Sequence, residues 1–142
     1  MLVDTILQTK GASVYTLPQS DTLADAVALL NSHNIGAVVI TDAGGAIAGI
    51  LSERDIVRRL GQDPAGALAL PIADAMTRGV VTCERHTTIA EVMERMTRYR
   101  IRHMPVAEAG ALVGIISIRD VVKLKIEEAG REAAELRDYI AS

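Results

Sequence analysis

The chain is short of the residues that make large contacts: it has no Trp, no Phe and three Tyr, an aromatic share of 2%. The stacking platforms that hold single-stranded nucleic acids are therefore missing. The basic face that nucleic acids require is missing too, since the net charge is −3 and the pI near 5.6, so nucleic acid is not an expected partner. A single cysteine, Cys83, excludes an intrachain disulfide and offers no metal-ligand spacing. It reads as a small, half-buried residue at a strand end. No apolar run approaches the ~18 residues of a membrane span, and the N-terminus lacks the charged-then-apolar pattern of a signal peptide. The expectation is a cytoplasmic protein with no membrane partner.

Catalytic signatures are absent as well. There is no Gly-x-Ser-x-Gly, no Walker-type phosphate loop and no Gly-x-Gly-x-x-Gly. His33 ends a helical pattern and His86 precedes one, and neither has a cysteine or acid at a spacing that would assemble ligands. No catalytic residue, catalytic cofactor or metal site is predicted. What remains is a hydrophobic share of 49% over 142 residues, enough for one compact unit. Its core must be built from Ala, Val, Ile and Leu, so stability is expected to lean on association of subunits.

One stretch occurs twice. Gly49-Ile50-Leu51-Ser52-Glu53-Arg54-Asp55 is answered by Gly114-Ile115-Ile116-Ser117-Ile118-Arg119-Asp120. In each, a glycine is read as ending a turn, branched apolar residues as a buried strand, and the serine as the point where strand becomes helix. Arginine and aspartate then fall on the first helical turn, where unpaired N–H groups and the helix dipole suit an anion such as phosphate. Ser-x-x-Asp is also a helix-capping pattern, although Asp is short for the reach back that Glu makes in a capping box. The two roles can coexist.

The repeat runs almost the length of the chain. Val14-Tyr15-Thr16 aligns with Val80-Val81-Thr82 as a first strand. Leu23, Ala26, Val27 and Leu30 align with Ile89, Val92, Met93 and Met96 at the i, i+3, i+4, i+7 spacing of an amphipathic helix. Thr22-x-x-Asp25 and Thr88-x-x-Glu91 start those helices. Short apolar strands follow at 37–40 and 103–106. Each repeat thus reads β-α-β-β-α over ~50 residues, too few to bury a comfortable core alone. The predicted fold is α/β (α+β), two such repeats packed with pseudo-two-fold symmetry, plus a long C-terminal helix. Residues 1–12 are read as a helix and lead-in, 13–61 as the first repeat, 62–73 as a linker, 74–125 as the second repeat and 126–142 as a helical extension. Val122, Ile126, Ala129, Ala133, Leu136 and Ile140 step by 4, 3, 4, 3, 4, a heptad seam. It could fold back on the module or join two subunits, and a homodimer is expected.

The element order, the paired Gly-h-h-Ser-x-Arg-Asp ends and the run Arg100-Ile101-Arg102-His103-Met104-Pro105-Val106 resemble the CBS-domain family. Two tandem copies form what that family calls a Bateman module, and this chain is similar to its stand-alone bacterial and archaeal type. The resemblance implies a regulatory module that binds an adenosine-containing ligand (AMP, ADP, ATP, NAD(H) or S-adenosylmethionine) in clefts between the repeats and passes a signal to an unknown regulated protein. By the same resemblance, Asp120, Ser117 and Arg119 share a cleft with Thr16, Ile35, Gly36 and Ala37. Asp55, Ser52 and Arg54 share one with Thr82, Arg102, His103 and Met104. The aspartates would hold a ribose diol, the serines would add hydroxyls, and the arginines and His103 would meet phosphate. Arginine at 54 and 119 favours AMP, ADP, ATP or NAD(H) over the sulfonium-bearing S-adenosylmethionine. Lys10 lies where it could reach a phosphate but is read as solvated. A competing reading keeps the clefts vestigial and makes the chain a protein-interaction or dimerisation module acting through its tail.

Overall fold

The computed structural model describes residues 1–141; Ser142, the last residue of the expected extension, lies outside them. Helix α1 (Val3–Lys10) leads into the first repeat, made of β1 (Thr16–Pro18), α2 (Leu23–His33), β2 (Ala37–Thr41), β3 (Ile47–Ser52) and α3 (Glu53–Gln62). Two short 3₁₀ turns, Ala67–Ala69 and Ile72–Asp74, lead into the second, made of α4 (Ile89–Tyr99), β4 (His103–Glu108), β5 (Ala111–Ser117) and α5 (Ile118–Ala141). The α+β architecture and the long C-terminal helix are those expected.

The first sheet runs β1-β2-β3, with β1 parallel to β2 and β2 antiparallel to β3. The second holds only the antiparallel pair β4-β5. Its expected first strand, Val80-Val81-Thr82, is reduced to one parallel bridge, Cys83 to Val106, the repeat equivalent of Leu17 opposite Ile40. Cys83 N–H donates to the Pro105 carbonyl (3.1 Å) and Ala107 N–H to that of Cys83 (2.9 Å). The next rung toward Val81 would need an N–H from residue 105, and proline has none.

The starts of α2, α3, α4 and α5 are side-chain capped, by Thr22, Ser52, Thr88 and Ser117. Thr22 with Asp25 and Ser52 with Asp55 form complete capping boxes, Asp25 and Asp55 each accepting the cap N–H at 2.9 Å. Aspartate is thus long enough for the reach back, because the carboxylate sits almost under the cap residue.

In both amphipathic helices the first, second and fourth predicted core positions are buried, while the third faces out. Val27 is 37% and Met93 39% exposed. The core stripe is therefore narrower than the spacing suggested.

Two hydrophobic clusters form, and each is completed by the other repeat's lead-in. Val3, Ile6 and Leu7 of α1 join Ile89, Val92, Met96, Met104, Val106 and Ile116 of the second repeat. Ile72 and Met76 join Leu23, Leu30, Val38, Ile40 and Leu51 of the first. Residues 62–73, read as a linker, dock on the first repeat through Ala67 and Ile72, both fully buried. Val3 N–H and Asp4 N–H donate to the carbonyls of Thr87 and Arg85, and Leu23 N–H donates to that of Leu70.

Gly49 and Gly114 receive these lead-ins. Both glycines lie inside strands rather than closing a turn, each just past a bulge at Ala48 or Val113. A Cβ on Gly49 would stand 2.7 Å from Met76 Sδ and 2.9 Å from the Thr77 carbonyl oxygen; one on Gly114 would stand 2.7 Å from Leu7 Cδ2. Gly49→Ala is expected to cost about 2 kcal/mol of stability, and Gly114→Ala less, because a leucine methyl can rotate away and a backbone carbonyl cannot. Urea unfolding of the two variants checks the order.

Candidate functional site

A cavity of about 520 Å³ opens between the repeats. The first repeat contributes Tyr15, Ile35, Gly36, Ala37 and Glu53, the second Arg102, His103, Ser117 and Arg119, and α1 contributes Lys10. The mouths of β2 and β4 meet here, since Gly36-Ala37 and Arg102-His103 are repeat equivalents. Glu53 N–H donates to the Gly36 carbonyl (3.0 Å) and Ile118 N–H to that of Arg102 (2.8 Å). The space a side chain on Gly36 would need is taken by the His103 ring, 3.2 Å from an ideal Cβ, with Glu53 Oε1 at 3.5 Å. Burial holds the His103 imidazole below its ordinary 6.5. Lys10 and Arg102 act in the same direction, and Glu53 and Asp120 oppose it.

At the cavity's edge Asp120 Oδ2 accepts the Ser117 N–H (2.8 Å) and the Lys10 ammonium (2.9 Å), and Lys10 also donates to the Ile115 carbonyl (3.0 Å). Lys10 is thus a tethered cation of the site rather than a solvated one. Asp120 Oδ1 makes no hydrogen bond among the described residues and retains its acceptor capacity. Asp55 differs. Its side chain is buried, Oδ2 accepts the Ser52 N–H (2.9 Å) and hydroxyl (3.1 Å), and Oδ1 accepts the Thr77 hydroxyl (3.4 Å). Protein donors already meet both its oxygens.

The expected partition of residues changes accordingly. Ile35, Gly36, Ala37, Ser117 and Arg119 line one cavity, with Asp120 bonded to the Ser117 N–H at its edge. Arg102 and His103, assigned to the Asp55 cleft, line this cavity instead, because the two strand mouths face one another. Thr16 is paired with Val39 in β1–β2, and its neighbour Tyr15 takes the wall position. Met104 points into the second core at 0% exposure, as alternation along β4 dictates once His103 faces the cavity. Thr82 lies in a separate hollow of about 610 Å³ near the start of α4, its carbonyl accepting from Arg95 (3.0 Å). Arg54 is exposed at the start of α3.

Glu53 and Tyr15 are among the wall residues that escaped the sequence reading. Glu53 falls at the one position of its stretch where the copies differ in polarity, Glu53 against Ile118. Tyr15 was aligned as a strand residue with Val81, yet its ring stacks on His33 with centroids 3.8 Å apart. Among the described residues there is no cluster of metal-ligating side chains, and no helix is long and apolar enough to cross a membrane.

The profile of the CBS domain matches this chain twice, over residues 8–62 and 72–127. The mitochondrial CBS domain-containing protein CBSX3 of Arabidopsis thaliana is 32% identical over 146 aligned positions, covering 97% of this chain and 71% of that protein. The crystal structure of a CBS-domain-containing protein from Agrobacterium tumefaciens is 44% identical and superposes with a TM-score of 0.85, covering 87% of this chain and 92% of that one. The CBS domain pair of protein MJ0100, solved in complex with 5′-methylthioadenosine and S-adenosyl-L-methionine, is 28% identical with a TM-score of 0.81, covering 90% and 98%.

His103 gives a pH signature. Its folded-state pKa is lowered, so between that value and 6.5 the unfolded chain binds more protons than the folded one, and stability falls as pH drops through this window. The unfolding midpoint of His103→Gln is expected to vary less with pH just below 6.5 than that of the parent. Cys83, its thiol pushed up to about 12 by burial, is expected to resist a thiolate-selective reagent at pH 8 until the chain unfolds.

Proposed function

Because this chain belongs to the CBS-domain family, matched over both repeats, we propose that it is a regulatory module whose ligand, an adenine nucleotide, sits in the cavity bounded by Asp120. The observation that carries this reading is a seat assembled from both repeats, with Lys10, Arg102 and Arg119 as permanent cations around it. The Asp120 carboxylate accepts two ribose hydroxyls through the acceptor positions its cap leaves open, and Ser117 adds a hydroxyl. The adenine lies along Ile35, Gly36 and Ala37. Arg119, Arg102 and Lys10 meet phosphate with charge-assisted bonds, and His103 gains a proton as the phosphate approaches. The ligands of the MJ0100 domain pair both carry adenosine, which supports the nucleoside half of the reading; the phosphate half rests on this chain's own cations. AMP, ADP, ATP and NAD(H) are the candidates.

The seat at Asp55, with Ser52 and Arg54, is the weaker of the two, since Thr77 must release its oxygen before a ribose can enter. Ligand filling the Asp120 seat draws the repeats together across their shared wall. That changes the arrangement of repeats or subunits and provides the signal. The assembly is a homodimer in the cytoplasm, acting on a regulated protein and carrying out no catalysis of its own. The exposed apolar seam of α5 favours a second reading, in which dimerisation or partner capture is the function and the seats are vestigial.

Calorimetry with AMP, ADP, ATP, NAD(H), adenosine and S-adenosylmethionine separates the two. Phosphorylated ligands are expected to bind more tightly than adenosine, and more tightly at pH 6 than at pH 8. Arg119→Ala and Asp120→Asn are each expected to weaken binding about tenfold. Absence of binding at millimolar ligand overturns the sensor reading.

A further inference from the structure

We infer that α5 pairs with α5 of a second copy as a parallel, in-register two-stranded coiled coil. This deepens the homodimer of the preceding section and rests on the sensor reading only for its regulatory meaning. The helix has two opposed apolar faces. Val121 and Leu124 are buried in the second core, while Val122, Ile126, Leu136 and Ile140 are 48%, 67%, 60% and 74% exposed. Beyond Leu124 no described residue of α5 is buried, yet the helix continues to Ala141 through Gly130. A helical segment with an internal glycine and no packed face is marginal alone, so the exposed seam calls for a partner.

The seam specifies which partner. Its steps assign Ile126, Ala133 and Ile140 to heptad position a, and Val122, Ala129 and Leu136 to position d. Isoleucine at a with leucine at d favours two parallel strands, and the alanines between let the helices approach closely. The flanking charges choose the orientation. In a parallel pair position g faces position e of the next heptad on the partner, which sets Glu132 against Arg137 twice, once on each side. An antiparallel pair faces e against e and g against g. With Ile126 opposite Leu136 that sets Lys123 against Arg137 in one row and Glu132 against its own copy in the other, like charges in both. A second copy of this chain therefore fits the seam in the parallel sense. Since α5 begins at Ile118, both Asp120 seats then lie at one end of the paired helices.

Disulfide trapping in the full chain tests the pairing. Cys83 is buried and silent, and Leu136 is exposed, so Leu136→Cys leaves the fold intact. Mild oxidation is expected to convert Leu136→Cys to a covalent dimer at micromolar protein. In sedimentation, Glu132→Lys is expected to weaken self-association about tenfold, and Glu132→Lys with Arg137→Glu to restore it. If an equimolar mixture of Ile126→Cys and Leu136→Cys cross-links while Leu136→Cys alone does not, the helices are antiparallel and the inference is overturned. Cross-linking in neither overturns the seam altogether. Nucleotide calorimetry on the same variants reports on the sensor reading separately, so either idea can fail while the other stands.

Discussion

Neither repeat closes its core with its own residues, and this exchange governs the rest of the molecule. Val3 and Leu7 fill the second cluster and Ile72 and Met76 the first. Each lead-in comes so close to its strand that a Cβ beneath it would be crowded, by a Leu7 methyl at Gly114 and by Met76 and the Thr77 carbonyl at Gly49. Pulling the repeats apart would expose apolar surface in both clusters at once. Two ~50-residue units, each marginal by itself, become one body. The cavity between them inherits walls from three places in the sequence that have no reason to be near one another otherwise.

The same exchange makes the two halves chemically unlike. The lead-in that reaches Asp120 brings an ammonium, and the one that reaches Asp55 brings a hydroxyl. Both aspartates cap their helix with one oxygen, so the local fold treats them alike. What differs is the second oxygen, engaged at Asp55 and available at Asp120. A carboxylate that caps a helix has acceptor positions to spare, so structural and ligand roles need not compete for the residue.

Much of this was legible in the chain. The duplication, the order of elements, the capped helix starts and the seam in α5 follow from periodicity and spacing alone. Val3, Ile6 and Leu7, spaced i, i+3, i+4, mark the buried face of α1 in the same way. Several of the failures share a cause, which is that pairing across the repeat interface leaves no periodic mark. Arg102 and His103 went to the wrong aspartate because sequence symmetry does not say which strand mouths face each other. Met104 was read as a cleft residue because a run of motif letters hides the alternation along a strand. Val27 and Met93 looked like core because helical spacing gives a face but not its width. Thr77 on Asp55 and Lys10 on Asp120 depend on where the lead-ins dock, a long-range fact. The lost strand at Val81 could have been foreseen, since Pro105 was in plain view.

The helix that begins at Ile118 runs unbroken to Ala141, a rod of about 36 Å at ~1.5 Å per residue. Its first turn carries Asp120, and beyond Leu124 none of its described residues is buried. A tilt of roughly 5° at the base swings the tip by about 3 Å over such a length. The protein thus holds a lever whose short arm is a single carboxylate, and small motions there arrive magnified at a distance.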